Sequence, residues 1–261
     1  MNQLRGVDCV SPGPAVEAAM STAPTPVHRR GAPAHLRQTL AVVAVLVLAA
    51  ILVMLLVDRI FDSKSSPART GSGVAATQAR SLPQFTGVDL AGDNNIIVHV
   101  GARQSVIIHA DSNLLRRVTT QVRSGRLVIG TTPGNLSAKT PMFVTVSVPS
   151  LDALTLQGAG NITVTGVNSQ SLRVALPGSG NIDAAGTTAR LDVTISGEGT
   201  ARLPGLIARD VNASLTGDGT IMLNATHSLN ASVSGSGTIL YGGNPPHATT
   251  TVSSNGTITA G

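Results

Sequence analysis

The sequence predicts an all-β protein, a β-helix or β-solenoid with an N-terminal strand-rich cap, preceded by one transmembrane helix. Three observations support this prediction. A turn motif recurs at a nearly fixed spacing, apolar residues alternate with polar ones around each copy, and one uninterrupted apolar stretch lies near the N-terminus. A period of this size is typical of repeat architectures, in which each unit stacks on its neighbour.

The repeated motif is Gly-x-Gly followed by Asn or Thr, and its copies lie 18 to 20 residues apart. A corner this tight needs either positive φ or backbone packed against the next rung, and a Cβ would clash in both cases. We therefore predict structural turn glycines at Gly158, Gly160, Gly178, Gly180, Gly197, Gly199, Gly217, Gly219, Gly235, Gly237 and Gly256.

Apolar residues form two columns beside these corners. One column is Leu156, Leu176, Ile195, Leu215, Val233 and Val252, and the other is Ile162, Ile182, Ala201, Ile221, Ile239 and Ile258. A unit of about 19 residues cannot bury its apolar face alone, so the units must stack at roughly 4.8 Å, the distance between hydrogen-bonded strands. The residue after the second glycine is Asn161, then Asn181, then Thr, and we expect these side chains to form a hydrogen-bonded ladder.

Composition divides the chain into segments. Residues 1–39 are rich in Pro, Ala and Thr and are predicted to be disordered, and residues 58–81 form a flexible tether. The β-solenoid domain covers 82–261: residues 82–150 show strand patterns without glycine corners and are predicted to cap the N-terminal end, and residues 151–261 form the repeats.

Residues 40–57 are uninterruptedly apolar, which is long enough to cross a bilayer. A cleaved signal peptide usually has an apolar core of about 7 to 15 residues and a small-residue cleavage site, whereas Asp58 and Arg59 follow directly here. We expect an uncleaved single-pass anchor. The basic residues on its two sides balance, so the prediction of an inside N-terminus rests on the fold, which suits an exposed envelope module.

Charge and cysteine content exclude several classes of function. The single cysteine, Cys9, leaves neither a disulfide framework nor a thiolate cluster for zinc. Residues 81–261 contain 10 basic and 9 acidic residues, and with few aromatic residues they offer no basic stripe for nucleic acid. The Gly-x-Gly corners lack the third glycine and the helix of a dinucleotide-binding loop.

Enzymatic activity would need clustered carboxylates or a metal with a base. Glu198 and Asp218 occupy the same corner position in successive rungs, and they are the candidates for a weak cation contact. Their column continues with Ala159, Ser179, Ser236 and Ser254, so the two acids stand alone. The histidines are scattered, at His28, His35, His99, His109, His227 and His247. We expect no catalytic residue, no metal and no cofactor.

Several segments occur in a characteristic order: Phe85-Thr86-Gly87-Val88, Ile96 to Gly101, Asp111 to Leu115, Gly125 to Ile129, Val148 to Leu151 and Gly158 to Ile162. In this order of segments, residues 82–261 resemble the bacterial DUF2807 family, the auto-transporter adhesin head GIN domain. The resemblance implies a β-helical domain exported to the cell envelope, with adhesion as its activity and no catalytic residues. This chain departs from the family by having Thr in its later corners and by its long anchor.

These observations predict a non-enzymatic surface interaction module, held on the extracytoplasmic side of the bacterial inner membrane by a single N-terminal helix. Its partner would be an envelope protein or a glycan. The alternative is a polysaccharide-active or glycan-binding β-helix protein. Carbohydrate sites usually contain aromatic platforms, and only Phe85, Phe143 and Tyr241 lie in the domain, which lowers the expectation of sugar binding.

Overall fold

A computed structural model describes residues 69–261, and the regular secondary structure of this part of the chain is almost entirely β-strand. Its strands are β1 (Arg69–Thr70), β2 (Ala75–Arg80), β3 (Gly87–Leu90), β4 (Asn95–Val100), β5 (Ser105–Asp111), β6 (Val118–Arg123), β7 (Arg126–Thr131), β8 (Leu136–Ser137), β9 (Phe143–Val148), β10 (Ala153–Leu156), β11 (Asn161–Leu176), β12 (Asn181–Ile195), β13 (Thr200–Leu215), β14 (Thr220–Val233), β15 (Thr238–Gly242), β16 (His247–Val252) and β17 (Thr257–Ala260). The predicted all-β solenoid is confirmed.

Helical structure within residues 69–261 is limited to the 3-10 turn Leu115–Arg117, and none of it could span a bilayer. The transmembrane helix predicted over 40–57, the disordered segment over 1–39 and most of the tether lie outside the described residues. The tether prediction, however, extended too far. Residues Ala75–Arg80 form β2, which pairs antiparallel with β5 as an edge strand. The side chains of β2 are small or polar and show no apolar pattern in the sequence. The strand is held in place by its backbone hydrogen bonds to β5, which the side chains do not reveal.

The long strands are bent, so that each rung has two main sides. We call face 1 the side formed by the segments directly after each corner, and face 2 the side formed by the segments directly before it. In β11 the buried residues are Ile162 and Val164 on face 1, then Val167, and then Leu172, Val174 and Leu176 on face 2. The alternation changes phase at Gly166, which has φ +76°, a conformation that glycine adopts readily.

The rungs stack in parallel with a regular register. Leu176 pairs with Ile195 and Ile195 with Leu215, while Ile162 pairs with Ile182 and Ile182 with Ala201. All of these side chains are buried, so the two predicted apolar columns form the core. Val252 is 45% exposed because it lies on the last described rung, which has no described strand beyond it.

The N-terminal part of the stack does not follow chain order. The rung formed by β3 and β4 lies between the β10–β11 rung and a rung formed by β7 and β9, although β7 and β9 come later in the sequence. Antiparallel strands then end the stack, with β5 on β9 at face 1 and β6 on β7 at face 2. Parallel stacking therefore extends well into residues 82–150.

Asp111 fixes the entry of the chain into the domain. This side chain is fully buried, and its carboxylate accepts hydrogen bonds from the backbone N–H groups of Gly73 at 2.6 Å, Lys139 at 2.9 Å and Thr140 at 3.2 Å. Burial raises the pKa of Asp111, but these N–H donors outweigh burial and hold the pKa below its ordinary value of 3.8. The carboxylate thus joins the segment before β2 to the segment before β9.

We expect Asp111→Asn to lower the melting temperature by several degrees at pH 7, because the amide cannot accept all three hydrogen bonds. A carboxyl group with a lowered folded pKa stabilises the protein above its unfolded pKa, and this contribution is lost as the pH falls through the folded pKa. The difference in melting temperature should therefore shrink below about pH 3.8. Asp152→Asn, at an exposed position, is the control. An equal difference at pH 3 and pH 7 would contradict this role.

Gly180→Val should destabilise the domain by about 1–3 kcal/mol or more, because a Cβ at this position would overlap the Gly160 carbonyl oxygen and the Leu156 side chain. Ser179→Val, at the exposed neighbouring position, should change the free energy of unfolding by less than about 0.5 kcal/mol. Urea unfolding followed by circular dichroism measures both. Similar midpoints for the two variants would show that the corner does not require glycine.

Candidate functional site

The glycine corners form a continuous column along one edge of the solenoid. A Cβ added to Gly178, Gly197, Gly217 or Gly235 would lie less than 3.0 Å from the carbonyl oxygen of the first glycine in the preceding corner. None of the corner glycines has positive φ. Of the two reasons for glycine considered from the sequence, close backbone contact between rungs is therefore the one that applies.

The corner N–H groups are used within the stack. Gly180 N donates to Gly158 O at 3.2 Å, Asn181 N to Gly160 O at 3.1 Å and Thr200 N to Gly180 O at 3.0 Å. A phosphate-binding loop needs N–H groups that point at the ligand. These three donors are occupied within the stack and are not available to a phosphate group.

An asparagine ladder runs beside the corners on face 1. Asn181 Nδ2 donates to Asn161 Oδ1 at 2.9 Å, and Asn161 Nδ2 donates to Asn95 Oδ1 at 2.8 Å. Thr200 and Thr220 continue the same column. An amide can donate to one neighbour and accept from the other across a rung spacing of roughly 4.8 Å, which is the pattern that Asn161 shows.

The two corner acids lie on the solvent side of the column, and both are exposed. Asp218 Oδ1 accepts a hydrogen bond from Ser236 N, one rung further on, at 3.2 Å. Asp93 Oδ1 does the same for Ala159 N at 3.0 Å, so an aspartate at this position hydrogen-bonds to the next corner. Within residues 69–261, no group of three His, Cys, Asp or Glu side chains could hold a metal ion.

Two of the four histidines of the domain lie together in the structure, and the other two make separate contacts. His99 Nδ1 lies 3.0 Å from Thr165 Oγ1, and the His109 ring stacks on Phe143 with centroids 4.3 Å apart. His227 lies edge-on to His247, with centroids 5.7 Å apart. His28 and His35 lie outside the described residues.

A small polar cluster on the side of the solenoid was not predicted from the sequence. His227 Nδ1 lies 2.8 Å from Asp210 Oδ1, and the Ser228 hydroxyl donates to the same oxygen at 2.6 Å. The Ser228 hydroxyl and then His227 hold the pKa of Asp210 below its ordinary value of 3.8. An activated serine would donate to the histidine. Here the serine donates to the aspartate, which is a stabilising arrangement and not a nucleophile–base pair.

Regular polar rows cover the outside of face 2. Asp192, Asn212 and Asn230 are in register, and Asn212 Nδ2 donates to Asp192 Oδ1 at 3.0 Å. The neighbouring row is Thr194, Ser214 and Ser232. These side chains stand one rung apart on a rigid sheet, which gives the surface a one-dimensional repeat.

The cap contains a further corner that the sequence reasoning missed. Gly92-Asp93-Asn94 precedes Asn95, and Asn95 pairs with Asn161, so this segment occupies the position of Gly158-Ala159-Gly160 one rung earlier. A Cβ at Gly158 would contact the Gly92 carbonyl as closely as one at Gly178 would contact Gly158. The sequence did contain a signal for this corner, because the segment 90–96 matches the segment 156–162. The match is hard to see because Asn94 replaces the second glycine of the motif.

Comparison with known proteins agrees with this architecture. Residues 84–245 match the DUF2807 family, described as "Putative auto-transporter adhesin, head GIN domain". The chain belongs to the DUF2807 family. No match was found among curated proteins.

A solved structure shows the same fold for this DUF2807 member. A protein from Bacteroides fragilis, described as a "putative adhesin", superimposes with a TM-score of 0.63 at 24% identity, over 74% of this chain and 100% of that one. A "putative adhesin" from Parabacteroides merdae gives a TM-score of 0.45 at 20% identity, over 74% of this chain and 99% of that one.

Replacement of the corner acids separates their structural roles. Asp218→Ser should lower the free energy of unfolding by up to about 1 kcal/mol, because it removes the hydrogen bond to Ser236 N at an exposed position. Glu198→Ser should leave stability unchanged, since serine occupies the same position in other corners. Thermal melts with and without millimolar Ca²⁺ measure both effects. A Ca²⁺-dependent stabilisation lost in the double variant would instead establish a cation site.

Proposed function

We propose that this chain is a non-enzymatic attachment module of the bacterial cell envelope, anchored in the inner membrane by residues 40–57 and displayed on the extracytoplasmic side. The observation that carries the proposal is the pair of outward polar rows on face 2, Asp192–Asn212–Asn230 and Thr194–Ser214–Ser232. Such rows present the same contact repeatedly at one-rung intervals, which suits an extended partner with its own repeat.

Family membership supports attachment as the function, since DUF2807 proteins carry the adhesin description. The chemistry of the domain supports a noncatalytic role. Glu198 and Asp218 are exposed corner residues, Asp218 binds a backbone N–H, and the Asp210–His227–Ser228 cluster lacks the hydrogen bond from serine to histidine. Single contacts with an exposed face are weak, and several copies in one membrane would strengthen attachment through effective concentration.

The test is attachment of spheroplasts to a surface coated with cell-wall material from the same cells. Spheroplasts that carry the chain should adhere more than spheroplasts that lack it, and protease added outside should remove both the domain and the adhesion. A chain with Gly180→Val is the matched control, because it keeps the anchor and disrupts the corner stack. Full protection of the domain from protease would overturn the proposed topology, and equal adhesion by the control would overturn the proposed function.

A further inference from the structure

The two ends of the described solenoid differ in how their edge strands are protected. At the cap end the outermost strands are β2 on face 1 and β6 on face 2, and at the C-terminal end they are β17 on face 1 and β16 on face 2. The edge of a sheet has unpaired N–H and C=O groups that can pair with a strand of another chain, and proteins usually protect such edges with charged side chains. The charges at each end therefore indicate whether that end is closed to such pairing.

The cap end is strongly basic. Residues 69–150 contain eight basic and three acidic residues. Arg126 pairs with Asp89. Among the described residues, no ion pair involves the other seven basic residues, which are Arg69, Arg80, Arg103, Arg116, Arg117, Arg123 and Lys139. Because β2 ends at Arg80 and β6 ends at Arg123, both outermost strands at this end carry a cation.

The C-terminal end lacks this protection. Residues 219–261 contain no Asp, Glu, Lys or Arg. The sequence of β16 is His-Ala-Thr-Thr-Thr-Val, with all six residues exposed, and that of β17 is Thr-Ile-Thr-Ala. Short uncharged segments that are rich in β-branched residues and lack Gly and Pro pair readily with other strands. Within residues 69–261, β16 pairs only with β14 and β17 only with β15, so the far edge of each strand is open.

The apolar core is also open at the C-terminal end. Leu215 and Val233 are 1% exposed, whereas Val252, the next residue of the same column, is 45% exposed. Ile258 is in register with the buried Ile239 but is only half-buried itself. This end therefore combines open backbone edges with the exposed end of the core, which are the two features that join one rung to the next inside the stack.

Charge decides which partner fits this surface. The cap end of another chain would bring its arginines against a surface without acids, and these cations would lose water without gaining a partner. The C-terminal end of a second copy brings no charge, and it has the same open edges and the same open core. Two such ends that are related by a twofold axis meet with their strands antiparallel, an arrangement in which neighbouring strands pair well.

We infer that two copies of this chain associate through their C-terminal ends, with β16 and β17 of one copy pairing antiparallel with these strands of the second copy. Each chain has one such end, so the assembly closes at two copies and does not grow into a filament. The inference goes beyond the attachment function, because it concerns contact between two copies of the chain. A pair of chains also carries two sets of the polar rows of face 2, which strengthens attachment through avidity.

The experiment measures the mass of the full-length chain by sedimentation velocity over a range of protein concentrations, with detergent micelles in large excess so that two chains rarely share a micelle by chance. The parent should pass from one chain to two as the concentration rises. Thr250→Lys places a charge at the centre of β16 and should raise the dissociation constant at least about tenfold, because pairing would bury an ammonium group without a partner. Thr250 is exposed, so this variant should keep the melting temperature of the single-chain parent.

Thr119→Lys, at an exposed position of the cap strand β6, is the matched control and should pair as the parent does. Amide hydrogen exchange locates the contact: exchange in residues 247–252 and 257–260 should slow as the two-chain species forms, and exchange in β2 and β6 should not. The inference is overturned if the parent stays a single chain at every concentration, or if Thr250→Lys pairs as tightly as the parent, which is the result expected of pairing through the anchor. Weakened pairing of Thr119→Lys, or a mass that grows beyond two chains, would show head-to-tail stacking and would overturn it as well.

Discussion

The solenoid depends on the contact of one backbone with the next at its corners. Gly180 and Gly199 have no side chain, and the carbonyl group of the preceding corner occupies the space that a Cβ would fill. That contact fixes the distance and the rotation between neighbouring rungs, because there is no flexible group between them to adjust. Side chains at equal offsets from a corner are therefore superimposed, and the apolar columns, the asparagine ladder and the polar rows of face 2 all follow from this superposition.

The repeats could be predicted from the sequence because their physics is local and periodic. A fixed offset from each Gly-x-Gly was sufficient to place Leu176 and Ile195 on neighbouring rungs and to align Asn161 with Asn181. The Gly92–Asn94 corner was missed for two reasons. One of its glycines is replaced by asparagine, and residues 101–152, which include β7 and β9, separate it from its neighbour Gly158–Gly160 in the chain. A period cannot reveal a rung whose neighbours in space are not its neighbours in sequence.

The polar details of the candidate site depend on contacts that no period indicates. Asp210 and Ser228 are in register, and each lies seven residues before the first glycine of its corner, so the period aligns them. The period does not indicate that the Ser228 hydroxyl and His227 both bond the Asp210 carboxylate. Similarly, the sequence was sufficient to place Asp218 in a corner. Its hydrogen bond from Ser236 N can be recognised only from the three-dimensional geometry of that corner. Asp111 was part of the family resemblance, and its role in joining Gly73 to Lys139 emerges only from the tertiary structure.

The order of the first rungs also bears on how the domain is assembled. The β3–β4 rung has neighbours on both sides that are synthesised after it, so it has unpaired edges until residues 126–165 have emerged. Domains generally fold from the N-terminus as they are made, and contacts distant in sequence form slowly. We therefore expect assembly in two stages: a slow closure that needs β3 to β11 together, and then the addition of single rungs, each onto one that is already complete. On this expectation, the cap is the template on which the rest of the solenoid grows.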